Sequence, residues 1–367
     1  MKAAVILLSV IMLFSLPTVS YAEGEMKDIY DGLPNGMDDL LPEDFEDEIE
    51  KEDGTSAVKL LDASFFVSFL GKSLSLALSD TAPILLTLTV TVLLCALLSS
   101  LSKDGTSVGK ALSFASSVSL CGSCIAIINP LTEQTLGTVN VTSGIIKTSL
   151  PIMTAISLSG GQVSASATNA TFLNAVLALI EEIGRQVLTP VLAVSIAFTA
   201  VSALSRGTGI DLSRMVGSVK KTFIFLISLL STVLCVTIAF QTVIAKGSDT
   251  ILLRSIKFAS GNSVPIVGAA LSEAAGAYLS GIALLKGSAG TLVAAAVVLS
   301  TLPMLLKLFA VKLCLTFIAF VSDILGVNGA SVRDFASITD MLIAMLVTSS
   351  LIFVIAMGLF ASVLPNV

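Results

Sequence analysis

Few residues in this chain have the types and spacing that site chemistry needs. Cys121 and Cys124 have the CxxC spacing of metal and redox sites. A zinc site needs two further ligands, and the sequence contains no His to supply them. Without His there are also no Ser-His-Asp triads and no imidazole bases. Because both thiols lie within an apolar run, we expect them to pack as small hydrophobic groups. Since the metal ligands and bases are missing as well, we expect neither enzyme activity nor a cofactor.

Two adjacent carboxylates, Glu181 and Glu182, follow an apolar run and precede Arg185. Adjacent residues do not share a helix face, whereas Glu181 and Arg185 are four residues apart and can pair. We therefore expect residues 181–186 to be a helix end at the membrane surface. A functional role inside the membrane is the alternative, because charges at that depth are costly and are usually kept for function.

The segment 261–286 holds the strongest candidates for a functional site. If it is helical, Gly268, Ser272, Gly276 and Ser280 form one ridge of small residues, which lets membrane helices pack closely. Glu273 lies beside this ridge. It could line a polar cavity, bind an ion, pair with Lys286 or Lys312, or reach the lipid headgroups. No catalytic, cofactor-binding or metal-ligating residues are predicted, and the candidate structural or transport residues are Gly261, Asn262, Pro265, Gly268, Glu273, Gly276 and Lys286.

The composition places most of the chain in lipid. Hydrophobic residues make up 54% of the sequence and charged residues 13%, against about 25% charged residues in a soluble domain. So few charges cannot cover the surface of a globular protein of 367 residues. Lys and Arg are scattered singly between apolar runs, which argues against nucleic-acid binding. We therefore predict an all-α fold, a polytopic helical membrane protein.

The N-terminal residues 1–22 have the features of a secretory signal peptide. Lys2 precedes an apolar run that is too short for a span of about 20 residues, and a small-x-small cleavage site ends at Ala22. An uncleaved anchor is the alternative. Residues 23–55 contain fourteen acidic residues against two lysines. We expect this acidic segment to be extracytoplasmic and disordered, either a solvated tether or a docking strand for a basic partner.

Residues 83–367 form the predicted multi-span transmembrane domain. Before it, residues 56–82 form a predicted amphipathic helix that lies on the membrane surface or against the bundle. Segments that contain Pro151 or Pro265 are expected to be broken, re-entrant helices. The motif at 149–152 recurs at 263–266, which suggests an internal duplication of the kind found in transporters. The runs long enough to cross a membrane are 83–101, 111–129, 187–204, 223–245, 289–306, 308–325 and 341–364.

Positive charge predicts the orientation of these spans. Four basic residues cluster in the loop 205–222, which is therefore predicted to be cytoplasmic. Lys307 and Lys312 lie near the junction of two predicted spans and are expected on the same side. The C-terminus then also falls on the cytoplasmic side.

The segment 260–290 resembles a block of the stage III sporulation protein AE family of endospore-forming bacteria. Ile266 stands where that family has Val. A signal-like N-terminus, an acidic segment and a polytopic body extend the resemblance to about residues 60–364. The matching residues are Gly261, Asn262, Val264, Pro265, Gly268, Leu285, Lys286 and Gly290.

This resemblance implies a membrane component of the sporulation complex that links mother cell and forespore, located in the mother-cell-derived membrane around the forespore. There it would act as a structural or export-gate part of a channel that late forespore development needs. Its partners would be membrane lipid and other membrane proteins of the assembly, with self-association left open. An ion-coupled, permease-like transporter with Glu273 at its coupling site is the alternative.

The orientation can be tested by cysteine labelling in a cysteine-free background. Ser213→Cys should be inaccessible to an impermeant reagent added from outside, because the basic loop is held in the cytoplasm. Gly54→Cys, in the acidic segment, should be labelled. Labelling of both positions from outside would overturn the predicted orientation.

Overall fold

The computed structural model describes the backbone of residues 63–101, 107–159, 163–205, 214–234, 236–237 and 268–361. Within these ranges every residue is helical except the turn 325–328, which confirms the all-α prediction. The signal peptide and acidic segment expected in 1–22 and 23–55 lie outside the described residues. The helices are α1 Ala63–Leu101, α2 Ser107–Ser159, α3 Val163–Ile183, α4 Thr189–Ser205, α5 Arg214–Leu234, α6 Gly268–Ile324 and α7 Gly329–Ala361.

Among the described residues, six helical segments are long and apolar enough to cross a membrane, as a polytopic protein requires. One of them joins α3 and α4 into a single segment, Ala170–Ser205. The others are Val67–Ser100, Ala111–Ala155, Arg214–Leu234, Val293–Ile324 and Gly329–Met357.

Prolines inside the helices do not end them, contrary to the expected breaks. α1 runs through Pro83, so the predicted boundary between a surface helix and a span is not a helix end. α2 continues through Pro130 and Pro151. Proline is tolerated in membrane helices where other groups satisfy the freed backbone atoms, and hydroxyl side chains one turn away do part of this.

The prediction of two spans at 289–306 and 308–325 is wrong. α6 passes through Pro303 and joins them into one helix. Lys307 and Lys312 therefore lie inside a helix rather than in a cytoplasmic connection. α7 then runs back along α6 from the end of the bundle where α6 finishes. The cytoplasmic placement of the C-terminus stays a prediction.

The turn 325–328 makes α6 and α7 an antiparallel hairpin. α6 ends in a Schellman motif: the amide of Val327 donates to the carbonyl of Ser322 at 2.9 Å, and the amide of Gly326 donates to that of Asp323 at 3.3 Å. Gly326 has a φ of 70°, which glycine adopts without steric cost. Further along the hairpin the hydroxyls of Thr301 and Ser350 lie 3.2 Å apart, so the two helices stay in contact.

Side-chain contacts show which helix ends lie together. Thr91 and Ser123, whose hydroxyls are 3.4 Å apart, place the end of α1 beside the start of α2. Lys220 near the start of α5 contacts Asp340 near the start of α7. The ends of α1 and α6, and the starts of α2, α5 and α7, therefore share one end of the bundle, called the turn end below.

The core consists of two hydrophobic clusters stacked along the bundle. The turn-side cluster includes Leu88, Leu192, Phe223, Leu315 and Phe335. The far cluster is built by other parts of several of the same helices and includes Ile146, Leu150, Leu177, Val297 and Phe353.

Polar side chains lie between the two clusters, in a layer called the polar seam. Thr142 on α2 and Ser300 on α6 have their hydroxyls 3.3 Å apart. Thr301 and Ser350 lie at the same level of the hairpin. The bundle thus has a polar layer between two apolar ones.

Gly329 allows the hairpin to close, and its replacement tests that contact. A Cβ at this position would overlap the Ala319 carbonyl oxygen and the Asp323 carboxylate. Gly329→Ala should therefore lower the free energy of unfolding by about 1–3 kcal/mol. Circular dichroism of the purified protein in detergent, followed through thermal unfolding, measures this.

Gly217→Ala on α5 is the matched control, because an added Cβ there meets nothing within 4 Å. Alanine is the better helix former, so the control should be neutral or slightly more stable. Equal melting temperatures for the two variants would contradict the close approach at Gly329.

Candidate functional site

Several charged side chains inside the candidate spans are paired between helices. Asp80 on α1 accepts from Lys307 on α6 at 2.6 Å. Glu181 on α3 accepts from Lys147 on α2 at 2.6 Å. Because an ionised side chain is costly to place in lipid, such pairs link the helices that carry them.

One carboxylate, Asp340 on α7, binds two lysines. Its Oδ2 accepts from Lys220 on α5 and its Oδ1 from Lys312 on α6. Lys312 thus has Asp340 as a partner, and its pairing with Glu273 stays a prediction because the Glu273 side chain lies outside the described residues. Asp340 connects three helices in this way, and the cluster carries two positive charges against one negative.

Glu181 has a different environment from the predicted one. Its Oε1 accepts from the hydroxyl of Ser143 and from the ammonium of Lys147, both at 2.6 Å and both on α2. The local pairing with Arg185 was an expectation of sequence spacing, and the Arg185 side chain lies outside the described residues. The predicted helix end at 181–186 is also wrong, because the helix continues from α3 into α4.

The junction of α3 and α4 is a π-helical turn, Gly184–Leu188. Its cause is visible in the sequence: Pro190 has no amide proton and its ring clashes with the carbonyl one turn earlier. The helix widens so that Thr189 donates to Gly184 five residues back, through its amide and, at 2.9 Å, its hydroxyl. Single π turns inside α-helices occur frequently at functional sites.

A cavity of about 610 Å³ lies beside this turn, where the polar seam separates the two hydrophobic clusters. This volume is in the range of small-molecule pockets. α2, α3, α5 and α7 contribute to its wall together with the π turn. Most of the lining is apolar, and the polar lining residues are Asn140, Glu181, Glu182, Thr189, Thr348 and Ser349. The arrangement can hold water or a small polar ligand between the helices.

The cysteines of the described segments are free and buried. Cys121, Cys124 and Cys314 pack within the turn-side cluster, in agreement with the expected role as small hydrophobic groups. Cys235 lies outside the described residues. In the described part of the chain no group of three or more Cys, Asp or Glu residues could hold a metal ion.

The site predicted at 261–286 is not tested by the structure. Gly261, Asn262 and Pro265 precede α6 and lie outside the described residues. α6 begins at Gly268, and for Glu273, Gly276 and Lys286 only the helical backbone is described. The role of these residues stays a prediction.

Sequence reasoning missed the pairs made by Asp80 and Asp340. The sequence feature that indicates such pairs is a single charged residue inside an apolar run, when another span has the opposite charge at a similar depth in the membrane. That signal identifies candidates without showing which of them meet.

Long apolar helices joined by ion pairs define an integral, multi-pass helical membrane protein. A family model described as stage III sporulation protein AE matches residues 53–363. The chain belongs to this family, as the resemblance predicted, and it is thus a sporulation-related membrane protein. No curated protein and no solved structure matches it.

The Asp340 cluster provides a test of the ion pairs. Asp340→Asn removes the only carboxylate that contacts Lys220 and Lys312 in the described segments and leaves two ammonium groups facing each other. Breaking a buried pair costs about 3–5 kcal/mol, and we expect the lower end because a quarter of the Asp340 side chain is exposed. Thermal unfolding in detergent measures the loss.

Lys220→Met is the control for this substitution. It leaves Asp340 paired with Lys312, so the cluster becomes neutral and should lose little stability. If Asp340→Asn is no less stable than Lys220→Met, the cluster does not hold the three helices together.

Proposed function

We propose that this protein is a structural subunit, with an export-gate role, of the membrane assembly that links mother cell and forespore during sporulation. The observation that carries the proposal is the family match over residues 53–363, which covers the entire helical body. Because the chain belongs to a sporulation family, we infer that its role lies in sporulation. The subunit would lie in the mother-cell-derived membrane around the forespore, and late forespore development would depend on it.

A scaffold role is supported by how the intramembrane charges are used. Asp80, Glu181 and Asp340 each accept from a lysine on another helix. A carboxylate that couples transport to an ion must change its charge during the cycle, and an ion pair between helices opposes such a change. The described carboxylates are therefore better suited to holding helices together than to ion coupling.

A gate within this subunit would need a polar path through the bundle. The cavity at the polar seam is one place where the described helices leave room for such a path, since hydroxyl, amide and carboxylate groups line it. The π turn beside the cavity supports this location, because single π turns inside α-helices occur frequently at functional sites. The expected partners are lipid and the other membrane proteins of the assembly.

Affinity purification from sporulating cells tests the proposal. The tagged full-length protein, solubilised in mild detergent, should copurify with other sporulation membrane proteins, because a channel subunit is held by its neighbours. The same purification with the Asp340→Asn variant should recover less of them, since misplaced helices present a changed surface.

Liposomes containing only the purified protein provide the second arm of this test. A structural subunit should show no ion-coupled uptake on its own. Purification without membrane partners, together with uptake that Glu273→Gln abolishes, would contradict the proposal and support the transporter.

A further inference from the structure

We propose that one face of α6 binds a partner's membrane helix that carries a carboxylate. This face, called the α6 ridge, consists of Leu313, Phe317, Phe320 and Ile324, and Lys312 lies on its flank. The inference deepens the proposed function and rests on it, because it names the surface by which the subunit would join its assembly.

The charge balance at the turn end supports an acidic partner. Asp340 is shared by Lys220 and Lys312, so the cluster has one positive charge in excess. No other acidic side chain pairs with either lysine within the described part of the chain. Lys312 is the more exposed of the two, with 37% of its side chain accessible against 27% for Lys220. It can therefore reach a carboxylate that approaches along α6.

The apolar section of α6 is longer than the hydrocarbon core of a bilayer is thick. The apolar section Val293–Ile324 has 32 residues, which is about 48 Å of helix at 1.5 Å per residue. The hydrocarbon core of a bilayer is about 30 Å thick. About 20 residues of helix are enough to cross it. The ridge lies at the end of α6, between Lys312 and the turn.

Neither placement of the membrane edge suits both features. If the edge lies at Lys312, the ridge projects into water, although its four side chains are 56% to 71% exposed and all are apolar. If the edge lies at the turn 325–328, the excess positive charge lies about 20 Å inside the hydrocarbon, where ionised groups are costly.

A partner helix with a carboxylate resolves both difficulties at once. Its apolar side chains cover the ridge, and its carboxylate pairs with Lys312 and neutralises the cluster. A second copy of this chain would bring a second excess of positive charge to the same place. An anionic lipid could pair with Lys312, yet it would leave a ridge that lies outside the membrane uncovered.

Photo-crosslinking in sporulating cells tests the inference. Benzoylphenylalanine replaces Phe320 in the full-length protein, and it replaces Leu86 on α1 in the control, because these side chains are similarly exposed at 61% and 68%. We expect Phe320 to cross-link to a membrane protein whose mapped peptide has an Asp or Glu within about two helical turns of the cross-link. Leu86 should cross-link to lipid.

Lys312→Gln should reduce the Phe320 cross-link by at least roughly tenfold, as expected when one partner of a desolvated charge pair is removed. Asp340 keeps Lys220 in this variant, so the protein should unfold at nearly the wild-type temperature. Lys312→Arg keeps the charge and should retain the cross-link. If the Lys312→Gln protein does not accumulate in the cells, the inference is judged only by whether the peptide cross-linked to Phe320 has an Asp or Glu nearby.

Several results would overturn the inference. The first group concerns what Phe320 captures: lipid only, a second copy of this chain, a peptide without a nearby carboxylate, or a protein that Leu86 captures equally well. The other is a Phe320 cross-link that Lys312→Gln leaves unchanged. If the tagged protein still copurifies with sporulation membrane proteins in that case, the proposed function stands and only this interface is wrong. Purification without partners would instead remove the proposed function.

Discussion

A charged side chain inside a bilayer has no water to solvate it and must find its counter-charge in protein. The arrangement of this bundle depends on that constraint. Asp80 holds α1 on α6 through Lys307, and Glu181 holds α3 on α2 through Lys147. Asp340 joins α7 to both α5 and α6. Because each contact needs two helices at matching depth, the pairs fix the register of helices that apolar packing alone would allow to slide.

The same helices change character along their length. Two hydrophobic clusters close the bundle on either side of the polar seam, and the cavity opens where they meet. Pro190 follows the π turn at this level, and its missing amide favours the irregular part of the helix beside the cavity. Glu181 belongs to both features, since it lines the cavity while it binds Lys147. The seam is thus where the bundle combines rigidity with room for a polar group.

Much of the helical architecture could be predicted, because the thickness of a bilayer imposes long apolar runs such as 83–101 and 111–129. A single charge misled the interpretation: Lys307 marked the predicted junction of two spans, whereas α6 continues through it. Ion-pair partners could not be predicted either. Lys307 and Asp80 are 227 residues apart, so their contact depends on the register of two helices and not on local spacing. The candidate residues around Glu273 keep the status of a sequence prediction.

Charge exchange between Asp80 and Lys307 tests most directly whether ion pairs set the register of the bundle. Asp80→Lys and Lys307→Asp each place like charges opposite one another, whereas the double variant restores an ion pair with its polarity reversed. Thermal unfolding of the purified proteins in detergent should show both single variants destabilised and the double variant close to the wild type, a coupling between neighbouring sites. A double variant as unstable as the sum of the two single variants would contradict the account.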